Sequence, residues 1–382
     1  MLFSFLFVHV FYGQDTSTVI TSDVTFDTLR IVDIGTPSDD QLSLSLNGTN
    51  LIIQNPGNTI IGDGTMIDAN TRSFALTDFT SILIETRTGS DSVSINAPLS
   101  FSSNGGMRIE GTTTVLQNAT MTLAYGELSF VVSHTITFSE EAIISCSATA
   151  TVELITQADI DFNGSIVNNA NTSGGNISFV AGWDGITPFN VNNFNAYSSQ
   201  SSLTATTPFG QNNRNIRLGD GNQSSSINLG NRFGQINLFA NDITLTAANA
   251  ANNRFVQIGY RSTDQGNSFL IGGSIQLRAK RNLSLQSGTN NAFNYTQIGH
   301  IGADLTLDTT PEANVNAPIG FAAGNLISVN GGQVLSNYSQ LGHGGFQSNG
   351  IFNGAIQQLS VKTRLELTDN NNTGYSRLGH DQ

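Results

Sequence analysis

The chain has 382 residues, of which 11% are charged, and 28 Asp and Glu against 15 Lys and Arg give a formal net charge of −13. That charged fraction is less than half the roughly 25% usual in soluble domains; Gly, Asn, Ser and Thr fill the space, so helix formers are scarce. No cluster of Lys and Arg could follow a phosphate backbone, which excludes nucleic acid as a partner; one cysteine excludes a disulfide framework within the chain, and no zinc-ligand spacing occurs.

The chain opens on "MLFSFLFVHVFYGQ". Its apolar run has the length of a signal-peptide core and is too short to span a bilayer, so residues 1–14 are expected to be an export signal. No later segment approaches the ~20 apolar residues of a spanning helix, so secretion or display at the cell surface is the expected location.

Residues 15–100 form an expected β-rich N-terminal region. From Val24 onward short alternating runs recur between turn clusters, as in "QLSLSLNGTNLIIQN" and "DSVSINAPLSFSSNGG". Each is rich in β-branched or aromatic residues and is bounded by Asn, Gly, Ser or Asp, the pattern of strands. Two phrases, "GDGTMID" at 62–68 and "GSDSVSIN" at 89–96, echo the glycine-aspartate calcium nonapeptide, but single degenerate copies read as ordinary turns. Beyond residue 100 the same alternation continues. It places Cys146, in "AIISCSATATV", on a strand as a small hydrophobe.

From about residue 210 a repeat sets the fold. "NYTQIGH" at 294–300 returns as "NYSQLGH" at 337–343, "RFVQIGY" at 254–260, "GYSRLGH" at 374–380 and, more remotely, "NIRLGD" at 215–220. Aligning Gly219, Gly259, Gly299, Gly342 and Gly379 gives a period near 40, with two closely spaced strands between successive phrases, as in "GSIQLRAKRNLSLQ". A lone unit of this kind cannot bury its apolar rows, whereas stacked units close a continuous core and pair every backbone group. The expected fold is therefore all-β, a right-handed parallel β-helix over 101–382 that continues past the last residue. A propeller of similar period needs four strands per blade and usually a Trp-Asp signature. Strand alternation turns Val256, Ile258, Thr296, Ile298, Ser339, Leu341, Ser376 and Leu378 inward. It turns Phe255, Tyr295, Tyr338 and Tyr375 outward with Gln257, Gln297, Gln340 and Arg377, an aromatic and amide ladder that is the candidate binding face.

The units "GSIQLRAKRNLSLQSGTNNAFNYTQIGH" and "NGGQVLSNYSQLGHGG" resemble repeats of large bacterial surface proteins of the filamentous-haemagglutinin-like adhesin class, as does the upstream "DDQLSLSLNGTNLIIQNPGNTI". The resemblance spans 40–96 and 176–382. It implies a non-enzymatic extracellular stalk that binds a host or environmental glycan or protein surface, or other copies of itself, through many weak contacts. On the residues themselves, no cofactor and no metal is expected. Two alternatives remain open on the residues. "GHGG" at 342–345 resembles the Gly-His-Gly of β-helical polygalacturonases, which would make His343 catalytic, although no paired carboxylates accompany it; the two nonapeptide echoes would instead make a calcium-dependent binding module. The recurrence of His at 300, 343 and 380 favours a polar strand-to-turn residue over a catalyst or metal ligand.

Overall fold

The computed structural model describes residues 19–25, 27–33, 39–56, 58–87, 89–102, 104–170, 172–187, 196–197, 199, 201–204, 206–249, 252–261, 269–303, 313–334, 336–345, 348, 350–361, 364–369 and 374–380. The expected signal peptide lies outside the described residues. Among them the chain is all-β, with one short 3-10 turn at Gln211–Asn213 and no α-helix. Among the described residues no helix is long and apolar enough to cross a membrane.

Among the described residues antiparallel pairing is confined to the N-terminal part. Val19–Thr25 folds back on Thr28–Asp33, Gln41–Asn47 on Asn50–Gln54, and Asn50–Gln54 on Thr71–Ala75. Parallel pairing then takes over. Thr28–Asp33 pairs with Ser81–Glu85, and the series continues through Met107–Gly111, Glu127–Val132, Thr151–Thr156, Ile177–Ala181, Ile236–Thr246 and Ile275–Gln286 to Ile319–Ala323 and Ile356–Val361. A second sheet of nine strands runs from Leu99–Phe101 to Tyr375–Leu378, every neighbour parallel, and a third joins Phe269–Ile271, Ala313–Val315 and Gly350–Phe352. Each strand thus pairs with its counterpart in the next unit. That is how short strands with one apolar face satisfy both backbone edges.

The inward rows merge into one apolar core that includes Leu29, Ile84, Ile109, Phe130, Leu154, Phe179, Leu238, Leu277 and Phe321. Phe130, Phe138, Phe162 and Phe179 succeed one another inside it with centroids 6.4, 5.0 and 5.3 Å apart. Burying each such side chain contributes roughly 1.5–3 kcal/mol. Val256, Ile258, Ile298 and Leu341 all belong to this core, as alternation predicts. Cys146 is buried at the end of the strand Ile143–Cys146, and burial pushes its thiol up to about 12, which keeps it unreactive.

Two features depart from the sequence reading. The phrase "NIRLGD" is not the fifth copy: Ile216–Leu218 pairs with Ile160–Phe162 and with Ile243–Leu245 in the large sheet. The counterpart of Phe255–Ile258 is Ile227–Asn231, with Ile227 opposite Val256, Asn228 opposite Gln257 and Leu229 opposite Ile258. Both phrases carry alternating apolar residues ending in glycine, so spacing alone favoured the wrong one. The second departure is an outer core. Ile155, Val180 and Phe239 lie on the far face of the large sheet, yet they are buried beneath Leu203 and Phe209, with Tyr197 and Trp183 packed against them. Phe209 sits 5.4 Å from both Tyr197 and Phe239. That is why every residue of Ile177–Ala181 is buried instead of every second one.

The calcium-like phrases are absorbed by the N-terminal corner. Asp63 accepts the Val24 N–H, and Asp91 begins the strand Asp91–Ile95, accepting the Asp40 N–H at 3.0 Å. Burial pushes the Asp91 carboxyl up to about 6; the Asp40 N–H opposes this, while the charges of Asp40, Asp33 and Asp39 reinforce it. A folded-state value above 3.8 favours folding only while the group is protonated, and that contribution is lost as pH rises through about 6. Asp91→Asn keeps the Oδ1 acceptor and removes the charge. It is expected to raise Tm at pH 8 and to leave it nearly unchanged at pH 3.5, measured by thermal melts at the two pH values.

Candidate functional site: the ladders of the repeated phrase

The structure brings the predicted ladder together. Phe255, Tyr295, Tyr338 and Tyr375 stack ring on ring, with centroids 5.2, 4.6 and 5.0 Å apart and interplanar angles of 15°, 5° and 4°. In-register parallel pairing places Phe255 opposite Tyr295 and Tyr338 opposite Tyr375, so aromatic rings fall directly over one another.

The predicted exposure is not there. Tyr295 is 1% exposed, and Tyr338, Gln257, Gln297 and Gln340 are 0% exposed; Phe255 and Tyr375 are half-buried. Alternation gave the correct side of the strand but not what covers it. After the phrase glycine the chain turns back over its own tyrosine. A Cβ on Gly302 would lie 2.6 Å from the Tyr295 hydroxyl and 2.4 Å from Gln257 Oε1, and Gly302 adopts φ +76°, so only glycine fits that turn. Gly345 approaches the Tyr338 hydroxyl in the same way. Arg261 adds a lid over Phe255, 4.5 Å from the ring centroid, and donates to the Ala303 carbonyl at 2.8 Å.

Each glutamine donates from its own unit to the next. Gln257 Nε2 donates to the Gly299 carbonyl at 2.9 Å, Gln297 to Gly342 at 3.1 Å, and Gln340 to Gly379 at 3.2 Å. The tyrosine of the following unit donates back: Tyr338 Oη to Gln297 Oε1 at 3.1 Å, and Tyr295 Oη to Gln257 Oε1 at 3.4 Å. Arg377 takes the glutamine position in the last unit and lies 5.3 Å over the Tyr375 ring.

The asparagine that opens the phrase follows the same logic. Asn294 Oδ1 accepts the Arg254 N–H and Asn337 Oδ1 accepts the Asn294 N–H, each at 2.8 Å, while their amide groups donate to Ala248 at 2.8 Å and to Gly288 and Asn291 at 2.7 Å. Two positions further along, Thr296 and Ser339 share a hydrogen bond at 2.7 Å.

The histidines make a third column. His300, His343 and His380 stack at 5.1 and 4.9 Å. Nδ1 of each accepts a backbone N–H from the unit before: Tyr260 to His300 at 2.9 Å, His300 to His343 at 3.1 Å, and His343 to His380 at 3.1 Å. Nε2 of each faces a carbonyl, Gly273 at 2.7 Å, Ala317 at 2.8 Å and Gly354 at 2.7 Å. An N–H aimed at Nδ1 and a carbonyl aimed at Nε2 assign the neutral Nε2–H tautomer. Burial lowers His300 to about 4 and His343 to about 2, the latter also through its histidine neighbours. Neither ring nitrogen is left to relay a proton or bind a metal. Among the described residues, no group of three or more His, Cys, Asp or Glu is placed to hold a metal ion.

Glycine completes the phrase. Gly259, Gly299 and Gly342 have φ of +139°, +154° and +157°, and a Cβ on each would meet the carbonyl oxygen of the next unit's glycine at 2.1, 1.8 and 1.9 Å. The whole of N-Y-[ST]-Q-[IL]-G-H thus reads as a set of devices for joining one unit to the next. No protein-family model matches the chain, and no curated protein or solved structure matches it.

Proposed function

We propose that the chain is a non-enzymatic, extracellular stalk or adhesin built as a right-handed parallel β-helix, of the filamentous-haemagglutinin-like kind that its repeats resemble. The observation that carries this reading is the fate of the repeated phrase. Its tyrosines, glutamines, asparagines and histidines are the residue types that make binding and catalytic sites, and they are spent on contacts between units. Repetition of that kind serves a long rigid body, in which stability adds up from neighbour to neighbour.

The column read as a binding face is replaced in that role by residues at the surface. Ser100, Thr122 and Ser145 form an exposed hydroxyl row on the nine-stranded sheet, in register on successive strands. Weak contacts repeated along such rows gain strength by multivalency. The N-terminal apolar run supports export and surface display as part of this proposal.

The competing reading, a polysaccharide-cleaving enzyme, is tested directly. Purified protein incubated with a panel of neutral and acidic polysaccharides is expected to yield neither new reducing ends nor unsaturated sugars. Turnover that disappears in a folded His343→Ala variant would overturn the proposal.

A further inference from the structure

The large sheet carries a groove that the repeated phrase plays no part in forming. It has a volume of about 430 Å³ and lies across the C-terminal ends of successive parallel strands. Glu85 is opposite Glu110, Glu110 opposite Val131, and Val131 opposite Ile155, so the groove crosses one strand per unit and follows the direction in which the units stack. Glu85, Glu110, Ser133 and Gln157 line it, and Trp183, the single tryptophan of the chain, closes one end.

The tryptophan is held in place. Its Nε1 donates to the Thr187 carbonyl at 2.8 Å, and one edge packs against the outer core beside Val131. The turn that carries it is fixed by Asp184, whose carboxylate accepts the Ile186 and Thr187 N–H groups at 3.0 and 2.8 Å. The two glutamates are also oriented, Glu85 by Arg30 at 3.0 Å and Glu110 by Arg108. Trp183 remains half-buried and Gln157 is exposed, so ring and amide are both accessible from the groove.

We infer that this groove is a binding subsite for a neutral oligosaccharide lying along the stack, with one sugar ring against the Trp183 indole and its hydroxyl groups donating to Glu85, Glu110 and Gln157. An indole face surrounded by acceptors is the surface a sugar presents a match for: apolar C–H on one side, hydroxyl groups around the edge. Arg87 lines the same groove and Arg30 and Arg108 pair with the two carboxylates, so the lining sets acceptors beside donors, the mixture that hydroxyl groups match. The net charge of −13 on the chain disfavours polyanionic glycans. The assignment rests on the non-enzymatic, glycan-binding reading above and gives it a place on the molecule.

The single tryptophan makes the site report on itself. Its fluorescence in the intact chain, titrated with cello-, xylo-, manno- and chito-hexaose, is expected to change saturably with at least one of them and not with an oligogalacturonate. Isothermal calorimetry with that hexasaccharide should show Kd raised tenfold or more by Trp183→Phe and severalfold by Gln157→Ala, with thermal melts confirming that each variant is folded. Should the phenylalanine variant not fold, Gln157→Ala and Glu110→Gln decide the matter. Absence of saturable binding to all four by both methods, or binding unaffected by Gln157→Ala and Glu110→Gln, overturns the subsite and leaves the stalk reading standing. Binding accompanied by release of shorter sugars keeps the subsite and overturns the non-enzymatic reading.

Discussion

Gly299→Ala is expected to destabilise the protein by more than about 4 kcal/mol or to prevent folding, while Gly379→Ala at the equivalent position of the last described unit costs about 1–2 kcal/mol. Both glycines have positive φ, +154° and +138°, so both alanines carry backbone strain. Only the first carries a collision as well. Its Cβ would stand 1.8 Å from the Gly342 carbonyl oxygen, an atom held by the next unit's sheet, whereas nothing lies within 4 Å of a Cβ at Gly379. Relief would require opening the parallel pair Tyr295–Ile298 with Tyr338–Leu341, and with it the tyrosine, glutamine and histidine contacts on either side. Urea unfolding of the two variants side by side measures the difference. Equal midpoints would show that glycine is present at these positions for its backbone alone.

Acid is the second lever. His300 and His343 are neutral in the folded protein, depressed from 6.5 to about 4 and about 2. Their unfolded forms take up protons from about pH 6.5 downward, so stability contributed by the neutral rings is complete above that value. It is lost as pH falls toward the folded-state values. For His300 alone the depression corresponds to on the order of 3 kcal/mol. Protonating Nδ1 also breaks the bond from the preceding unit's N–H, so the loss is structural as well as electrostatic. Denaturant titrations at pH 7.5 and pH 4.5 are expected to differ by several kcal/mol, and His343→Gln should be less stable than the parent at pH 7.5 yet lose less on acidification. The Asp91 contribution runs the other way, growing as pH falls through about 6, so the two can be separated by the Asp91→Asn variant. An unchanged acid slope in His343→Gln would show that the imidazole column is not the acid-sensitive element.

Most of the architecture is legible in the chain, because short alternating strands with a period near 40 leave few ways to bury an apolar row. Ile258, Ile298 and Leu341 fall where alternation puts them. The errors share one physical origin: a strand pattern states which way a side chain points, not what another segment does there. Tyr295 and Gln297 point away from the apolar core and are still enclosed, because residues after the phrase glycine fold back over them. The clue was present in "GHIGA" and "GHGG", where glycines beyond the one required by the strand mark a tight return. Ile155 and Phe239 are enclosed by a segment far along the chain, and no local pattern announces it. The misplaced copy at 215–220 has a different cause, since an apolar pair followed by glycine ends strands in both sheets. As for the histidines, recurrence already favoured a structural role, and the pairing of each ring with two backbone groups gives the reason.

The imidazole column also has a direction. Every ring receives from the strand end behind it, and every strand end behind it waits for a ring, so the junction between two neighbours has the same form wherever it occurs. Tyr260 stands in the first of these positions and still offers its N–H to His300, so the series can begin on a residue that is not itself histidine. Excising residues 300–342 would join Gly299 to His343 and restore a junction of the same kind. For the stalk proposed above, reach is then a quantity that duplication or loss of a whole segment can adjust without rewriting the residues on either side.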